Sequence, residues 1–188
     1  MHSSREIDAK AQHLTFFIAG EEYGVPLLRV REILEFDALT RVPAAPACVR
    51  GVINLRGSVV PVADLAIKFG QPECAITKVT CVVVVEVKSG DALTVMGLMV
   101  ESVNQTIELG DDDIESAPSF GTLARSEYQL GMGKVGKKFV MLLDIDQVLS
   151  TDELYKVDTL AGDDAGSEDA AAQATTDAQG MEVDASDA

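Results

Sequence analysis

The sequence predicts an all-β fold, and three observations support this prediction. About nine or ten short runs of β-branched and apolar residues recur along the chain, separated by turn residues at intervals of roughly 8–12 positions. Only about two or three short segments have helical spacing instead. The strand pattern covers about 150 residues in two strand-rich halves. Two small barrels that share an interface fit this arrangement, with a sandwich as the alternative.

The composition is that of a globular protein with ample material for a core. Hydrophobic residues make up 47% of the 188 positions, which suits one domain or two small fused subdomains. No window reaches the roughly 18 consecutive apolar residues of a transmembrane helix. The first residues lack the basic and apolar regions of a signal peptide. We therefore expect a cytoplasmic protein that does not insert directly into a membrane.

The net charge of −16 is unevenly distributed along the chain. Residues 157–188 contain nine acids and no Lys or Arg, so we expect a disordered acidic tail that serves as a solubilising linker, an electrostatic decoy or a partner site. Residues 1–12 are predicted to be a flexible N-terminus. The folded domain is then 13–156, with approximate subdomains 14–72 and 77–150. No half of the chain has a basic face, so nucleic acid is not an expected partner.

The elements of the first half follow from periodicity and from turn residues. The segment 26–34 is ambiguous because its apolar residues recur at helical spacing, so a helical turn is predicted to lead into a strand. Asp64 is typical of a helix N-cap because its carboxylate can accept hydrogen bonds from free backbone N–H groups. In chain order we predict a strand over 14–19, a strand from Tyr23, a strand over 32–36, an extended connector over 41–47, a hairpin within 51–65 and a short helix ending at Gly70.

The hairpin is the most informative stretch of this half. Two apolar runs, 52–53 and 59–60, flank a polar tip in which Gly57 can adopt the positive φ of a turn. We expect the arms to be buried. Arg56 at the tip keeps its charge and therefore needs solvent or a carboxylate. The candidate carboxylates are Glu32 and Glu35. The residues alone leave open whether such an ion pair stabilises the fold or positions a contact surface.

The second half contains the strongest strand signal in the chain. Residues 78–87 are nearly all β-branched or apolar, as expected for a strand that is covered on both faces. Gly97 interrupts the next predicted strand, 93–100, and indicates a bulge or a close backbone approach. The remaining predicted elements are a half-exposed strand over 102–108, a loop over 109–121, a hairpin formed by 128–134 and 138–143, and a short terminal helix after Asp144.

Residues that could carry catalysis or hold a metal are sparse. The three cysteines lack zinc-site spacing and are expected to be reduced, mostly buried thiols. Both histidines lie near the N-terminus, so nucleophilic catalysis lacks a base. Asp111–Asp113 could contribute to a cation site but more simply cap the turn before Ile114. The cluster Lys134, Lys137 and Lys138 lacks the spacing of a phosphate-binding loop and is expected at a solvated hairpin tip. We expect no catalytic residue, no metal and no cofactor.

The order of short motifs along the chain is more specific than any single motif. They are Glu22-Tyr23-Gly24, Val30-x-Glu32-Ile33, Arg41-Val42-Pro43 with Pro46, Gly51-Val52-Ile53-Asn54-Leu55-Arg56-Gly57, Val60-Pro61-Val62-x-Asp64-Leu65, Gly97-Leu98-Met99-Val100, Val103 and Ala117-Pro118. In this order and spacing, the chain from about Leu14 to Leu154 resembles the CheW-like family of bacterial chemotaxis, and specifically its stand-alone coupling adaptors. No kinase, receiver or phosphotransfer segment accompanies the motifs.

The resemblance implies two five-stranded, SH3-like β-barrels packed around a shared core, with short helices. It also implies a non-catalytic scaffold that couples chemoreceptors, the methyl-accepting chemotaxis proteins, to the histidine kinase CheA of a two-component system. The expected partners are the regulatory domain of CheA and the cytoplasmic tips of the receptors.

The residues that the family links to receptor contact and coupling fall on Val30, Glu32 and Arg56. Ile33 and Val52 are expected to add apolar contact to the same surface. The expected structural turn residues are Gly51 and Gly57.

Three other functions remain open at this point. One is an adaptor with the same fold in a twitching or other Che-like pathway. The second is a carboxylate-dependent, metal-binding hydrolase built on Asp111–Asp113. The third is a small-barrel interaction protein with an unrelated partner.

Overall fold

Two β-sheets make up the computed structural model of the protein, which describes residues 10–116, 127–149 and 153. The strands within these residues are β1 (Ala11–Ile18), β2 (Glu21–Pro26), β3 (Val30–Glu35), β4 (Val49–Leu55), β5 (Ser58–Asp64), β6 (Cys81–Ser89), β7 (Ala92–Val100), β8 (Ser102–Leu109), β9 (Ile114–Glu115), β10 (Gln129–Val135) and β11 (Lys138–Leu143). The described helices are α1 (Leu65–Lys68) and α2 (Ile145–Val148), together with 3-10 turns at Leu27–Arg29 and Asp111–Asp113.

The strand order shows that one sheet is inserted into the other. The five-stranded sheet, in the order β3-β6-β7-β5-β4, is formed by one continuous stretch of chain. The six-stranded sheet, in the order β8-β1-β2-β11-β10-β9, is formed by the stretches before and after it. The predicted subdomains 14–72 and 77–150 do not correspond to these sheets. The hairpin β1-β2 pairs with β8 and β11, and the hairpin β6-β7 pairs with β3 and β5. Local sequence patterns do not specify such pairings between strands that are distant in sequence.

The prediction of an all-β fold with few short helices is confirmed, and the two sheets are consistent with SH3-like barrels. The six-stranded sheet exceeds the expected five strands because β9 adds two residues, which pair with Met132 and Gly133. In the described part of the chain, no helix has the length and apolar character that a membrane crossing requires.

The segment that follows β3 connects the two edges of the five-stranded sheet. Thr40 and Val52 exchange backbone hydrogen bonds of 3.0 and 2.8 Å, so the chain leaving β3 at one edge pairs with β4 at the other. Gly51 permits this approach, because a Cβ atom there would lie 2.4 Å from the carbonyl oxygen of Thr40. Gly51 was expected in a turn, but it lies inside β4 at a register shift, where close backbone approach is its role.

Strand β6 lies between two apolar cores, as its sequence predicted. Val83, Val85 and Val87 are fully buried in the larger core, which also contains side chains from β1, β2 and α2. Val82 and Val84 are buried on the opposite face in a core that belongs to the five-stranded sheet. The larger core is therefore shared by both sheets.

The ends of the domain differ in part from the prediction. The first strand begins at Ala11, inside the expected flexible segment 1–12. Residues 1–9 and the predicted disordered tail, 157–188, lie outside the described residues. The helical turn and strand expected within 26–36 are both present, as the first 3-10 turn and β3.

Gly97 is a point of close side-chain packing within the five-stranded sheet. A Cβ atom at this position would lie 2.6 Å from Val82 Cγ1 and 3.0 Å from Val62 Cγ2. Both valines are buried in the core of that sheet, so neither side chain can move into solvent. The close approach predicted from a glycine inside a strand is therefore observed.

We expect Gly97→Ala to destabilise the fold by about 1–3 kcal/mol because the added methyl group overpacks this core. The midpoint of urea unfolding should fall while its slope stays constant. Gly110→Ala is the matched control, since its Cβ would meet Asp113 Oδ2 at an ordinary 3.6 Å. Equal unfolding midpoints for the two variants would contradict the packing argument.

An ion pair connects the two sheets next to the start of β3. The guanidinium of Arg29, in the turn before β3, binds both carboxylate oxygens of Asp146 in α2, and its Nε donates to the carbonyl oxygen of Glu86. The backbone N–H of Lys88 in β6 donates to Asp146 at 2.7 Å. Burial alone would raise the pKa of Asp146, but these donors and the nearby cations outweigh it and lower the pKa.

The lowered pKa of Asp146 predicts a pH-dependent contribution to stability. A carboxyl whose pKa is lower in the folded state stabilises the protein above its unfolded pKa, and this contribution is lost as the pH falls through the folded value. Asp146→Asn should therefore lower the free energy of unfolding by about 1–2 kcal/mol at pH 7. The difference from the parent protein should shrink as the pH falls below 3.8, the ordinary pKa of this group. Chemical unfolding at a series of pH values measures this, and a pH-independent difference would contradict it.

Candidate partner-binding site

The candidate site begins at the two-residue turn between β4 and β5. Leu55 pairs with Ser58, so Arg56 and Gly57 alone form the turn, with φ values of 52° and 88°. Positive φ at both central positions is the backbone of a type I′ hairpin turn, and Gly57 adopts it at little cost. Asn54 Oδ1 accepts a 2.8 Å hydrogen bond from the Gly57 N–H and fixes the turn.

Arg56 at this turn is paired with Glu32 of β3. Its Nη2 lies 3.2 Å from Glu32 Oε2, so of the two candidate partners Glu32 is the one observed. The arginine side chain is 82% exposed and the glutamate 23%. The contact connects the tip of the β4-β5 hairpin with the edge strand β3.

An open groove of about 630 Å³ lies beside this ion pair. Its apolar wall comes from the β4-β5 hairpin and from Val95 of β7. A second ion pair, between Arg31 and Glu86, lies at its edge. The residues that line the groove are Arg31, Glu32, Leu55, Arg56, Ser58, Val59, Val60, Pro61, Thr94 and Val95. The groove therefore combines an apolar wall with charges of both signs.

The structure brings together two of the five predicted contact residues, Glu32 and Arg56. Ile33 is 43% exposed, and it alternates with Glu32 along β3. Val30 packs against the shared core. Val52 of β4 is half-buried and pairs with Pro61 of β5. Within the described part of the chain, Val30, Ile33 and Val52 do not line the groove.

Sequence reasoning missed the contribution of β7 to the groove, and it missed Glu86 of β6, which lies beside the groove through its ion pair with Arg31. Glu86 and Val95 are directly paired across these strands, and Thr94 lies next to Val95. Glu86 did carry a usable signal, because it is the one charged residue in the apolar run 81–87 of β6. Its partner Arg31 could not be inferred, since the pairing of β3 with β6 is set by tertiary structure.

The hairpin arms are more exposed than predicted. Val52 and Ile53 are half-buried and Val59 is 37% exposed, whereas Val60 is buried. The outer face of this hairpin is therefore open to a partner.

A second charged group near the hairpin is structural. The side chain of Asp64 is fully buried, accepts from the N–H of Ala66 as the predicted helix cap, and also accepts from the N–H of Cys74 at 2.8 Å. Arg50 completes the arrangement at 3.0 Å and also pairs with Glu73. This buried network fixes the path of the chain after β5 and leaves no free carboxylate for chemistry.

The other reactive side chains show no catalytic arrangement within the described residues. Burial raises the pKa of Cys48 and of Cys74 to about 11, so both thiols stay protonated and unreactive. Cys81 is half-buried, and all three cysteines are free, as expected. Burial lowers the pKa of His13 despite its hydrogen bond with the backbone of Ala11. Among the described residues no group of three His, Cys, Asp or Glu could hold a metal ion.

Asp111–Asp113 form a 3-10 turn rather than a cation site. Asp113 Oδ2 accepts a 2.9 Å hydrogen bond from the Gly110 N–H, which is the capping role predicted for this cluster. This geometry gives the hydrolase alternative no support.

Comparison with known proteins identifies one family whose members match most of this chain, including the β4-β5 hairpin. The family model described as "CheW-like domain" matches residues 12–153. The chain belongs to the CheW-like family. Its CheW-like relatives include the chemotaxis protein CheW of Klebsiella aerogenes, which is 35% identical over 150 residues, covering 80% of this chain and 88% of the relative. The chemotaxis protein CheW of Rhizobium meliloti is 31% identical over 151 residues, covering 76% and 95% respectively.

A solved CheW-like structure has the same fold. The crystal structure of scaffolding protein TtCheW from Thermoanaerobacter tengcongensis superposes with a TM-score of 0.67 at 26% sequence identity. The match covers 77% of this chain and 95% of that structure. The CheW-like relatives are named as chemotaxis and scaffolding proteins, not as enzymes.

The backbone conformation of Arg56 predicts that its side chain can be replaced without loss of folding stability. An Asn at this position tolerates the left-handed backbone better than Arg, and Asn-Gly is the favoured pair for this turn. We therefore expect Arg56→Asn to leave the unfolding midpoint unchanged or to raise the stability by up to about 1 kcal/mol, since an exposed ion pair contributes little. Gly57→Ala, which forces a side chain into φ 88°, should be less stable than the parent. Thermal and urea unfolding of both variants measure this. A large loss of stability in Arg56→Asn would show that the ion pair is structural.

Proposed function

We propose that this chain is a non-catalytic adaptor that couples chemoreceptors to the histidine kinase CheA, with Glu32, Arg56 and the adjoining groove as its receptor contact. Membership of the CheW-like family and the names of the relatives support a chemotaxis scaffold rather than an enzyme. The adaptor acts in the cytoplasm and reaches the membrane through its protein partners.

One observation carries this proposal: an exposed ion pair lies where the fold gains little from it. Arg56 is 82% exposed, and such pairs contribute only about 0–1 kcal/mol to stability. Its backbone is held in the left-handed region, which non-glycine side chains rarely adopt. An arginine at this turn therefore costs conformational energy without a matching gain in stability, and this favours a role in binding.

The chemistry of the groove suits the tip of a receptor. Receptor tips are helical hairpins, and an amphipathic helix places its apolar face in a groove while its polar residues meet charges at the edge. The apolar wall and the two ion pairs beside it match these needs. Ile33 is exposed on the face of β3 opposite Glu32, so it would contact a receptor beside the groove rather than within it, while Val30 and Val52 would support strands β3 and β4. The regulatory domain of CheA would meet a separate barrel face, in an interface of order 1,000 Å².

We expect Arg56→Glu to weaken receptor binding several-fold while the protein stays folded. The new carboxylate would lie beside Glu32 and replace attraction with repulsion at the edge of the groove. Co-sedimentation with receptor-containing membranes and CheA measures binding, and thermal unfolding is followed on the same samples. Unchanged receptor binding by a folded variant would overturn this assignment.

Two controls sharpen this experiment. Arg41→Glu makes the same charge change at an exposed position of the connector and should leave receptor binding unchanged. The double variant Arg56→Glu with Glu32→Arg restores opposite charges and should recover part of the lost binding. A pull-down with CheA tests the other partner separately, and a clean failure would remove the adaptor proposal itself.

A further inference from the structure

An apolar patch covers the outer face of the β10-β11 hairpin, in the sheet that does not contain the groove. We call it the outer patch, and it consists of Leu130, Met132, Phe139 and Met141. Met132 and Met141 are directly paired across the two strands and are both half-buried. Leu130 is 57% and Phe139 47% exposed. Large apolar side chains grouped in this way indicate a contact surface.

The far end of the outer patch is positively charged. Lys134, Lys137 and Lys138 are all exposed at the tip of this hairpin, as the sequence predicted. Within the described residues, none of the three lies within ion-pair distance of a carboxylate. The whole chain carries a net charge of −16, so this hairpin tip is a locally positive surface on an acidic protein that an acidic segment would complement.

The near end of the outer patch adjoins the point where the described chain ends. Glu153 accepts from Lys68 Nζ at 2.7 and 2.9 Å. That ammonium lies 5.4 Å from the ring centroid of Tyr128, which stacks on Phe69. Phe69 and Met141 line the same small cavity, so Glu153 lies beside the start of β10.

The sequence after Glu153 has the same order of chemistry as the surface in front of it. A mainly apolar stretch, which also contains Lys156 and Asp158, comes first, and a richer run of acids follows it without any Lys or Arg beyond residue 156. The apolar residues are Leu154, Tyr155, Val157 and Leu160, and the first acids after them are Asp163, Asp164, Glu168 and Asp169. The seven residues of β10 span roughly 20 Å, whereas the ten positions from Glu153 to Asp163 reach up to about 35 Å when extended.

We propose that residues 154–169 bind the outer patch of the same chain, with their apolar residues on the patch and their acids on Lys134, Lys137 and Lys138. The tail then acts as a built-in cover for a surface outside the proposed receptor groove. A tethered segment needs only weak contacts, because its effective concentration is in the millimolar range. This inference does not depend on the adaptor function, and its test involves neither CheA nor receptors.

Hydroxyl-radical footprinting of the full chain tests the cover directly. Neutralising four proximal acids (Asp163→Asn, Asp164→Asn, Glu168→Gln and Asp169→Asn) should increase oxidation of Met132 and Met141 several-fold, and high salt should do the same to the parent protein. Neutralising four distal acids (Asp177→Asn, Glu182→Gln, Asp184→Asn and Asp187→Asn) is the matched control and should change nothing. Leu93, which is 60% exposed on the other sheet, reports the radical dose and should react equally throughout.

Carbodiimide cross-linking identifies the occupant. Links between the hairpin lysines and the proximal acids should form within single chains, as shown by mixing isotope-labelled and unlabelled protein. Links that join two chains would assign the patch to a second copy and overturn the proposal. Equal oxidation of both methionines in the proximal and distal variants would overturn it as well. Circular dichroism on each variant confirms that the fold is retained.

Discussion

The burial of β6 on both faces is the constraint on which the rest of the structure depends. Val83, Val85 and Val87 belong to the core that both sheets share, and Val82 and Val84 to the core of the five-stranded sheet. Each fully buried aliphatic side chain contributes about 1.5–3 kcal/mol, so this strand joins the two cores energetically. Its long antiparallel pairing with β7 also positions Val95, which lines the groove, and Glu86, which holds the lining residue Arg31 in an ion pair. The surface that we propose for receptor binding is thus positioned by β6, the strand that is buried on both faces.

The groove and the core obey different physical requirements. The core tolerates no added methyl group near Gly97 and satisfies the buried carboxylate of Asp64 with three donors. Around the turn, in contrast, an arginine occupies a conformation better suited to glycine or asparagine, and its ion pair is open to water. Residues that are poorly chosen for stability but held by a rigid neighbourhood are typical of binding surfaces. This contrast separates the role of Arg56 from that of Asp64, although each pairs with a residue of opposite charge.

Much of the fold could be predicted from the sequence because it is encoded locally. The valine run of β6, the cap at Asp64, the glycine in the β4-β5 turn and the close approach at Gly97 each rest on the chemistry of a few adjacent residues. The division into sheets could not be predicted, because pairing of β1 with β8 or of β2 with β11 depends on contacts between distant strands. The candidate site was predicted only in part, because some of its residues carry a local signal and others reach it through tertiary pairing. Arg56 stood out as a charge among apolar residues, and Glu32 was one of its two candidate partners and a position that the family resemblance marked, but Arg31, Thr94 and Val95 enter the groove only through tertiary pairing.

The insertion of one sheet into the other limits how the two sheets can move relative to each other. Within residues 10–116 and 127–149, the chain passes between the sheets twice, through the three-residue turn before β3 and through Glu101 between β7 and β8. Both crossings are held by contacts: Arg29 pairs with Asp146 of α2, and Glu101 makes backbone and side-chain hydrogen bonds with Phe17 and Gly20. These contacts and the shared core restrict rotation of one sheet relative to the other. The spacing between a surface on one sheet and a surface on the other is therefore set by the fold itself.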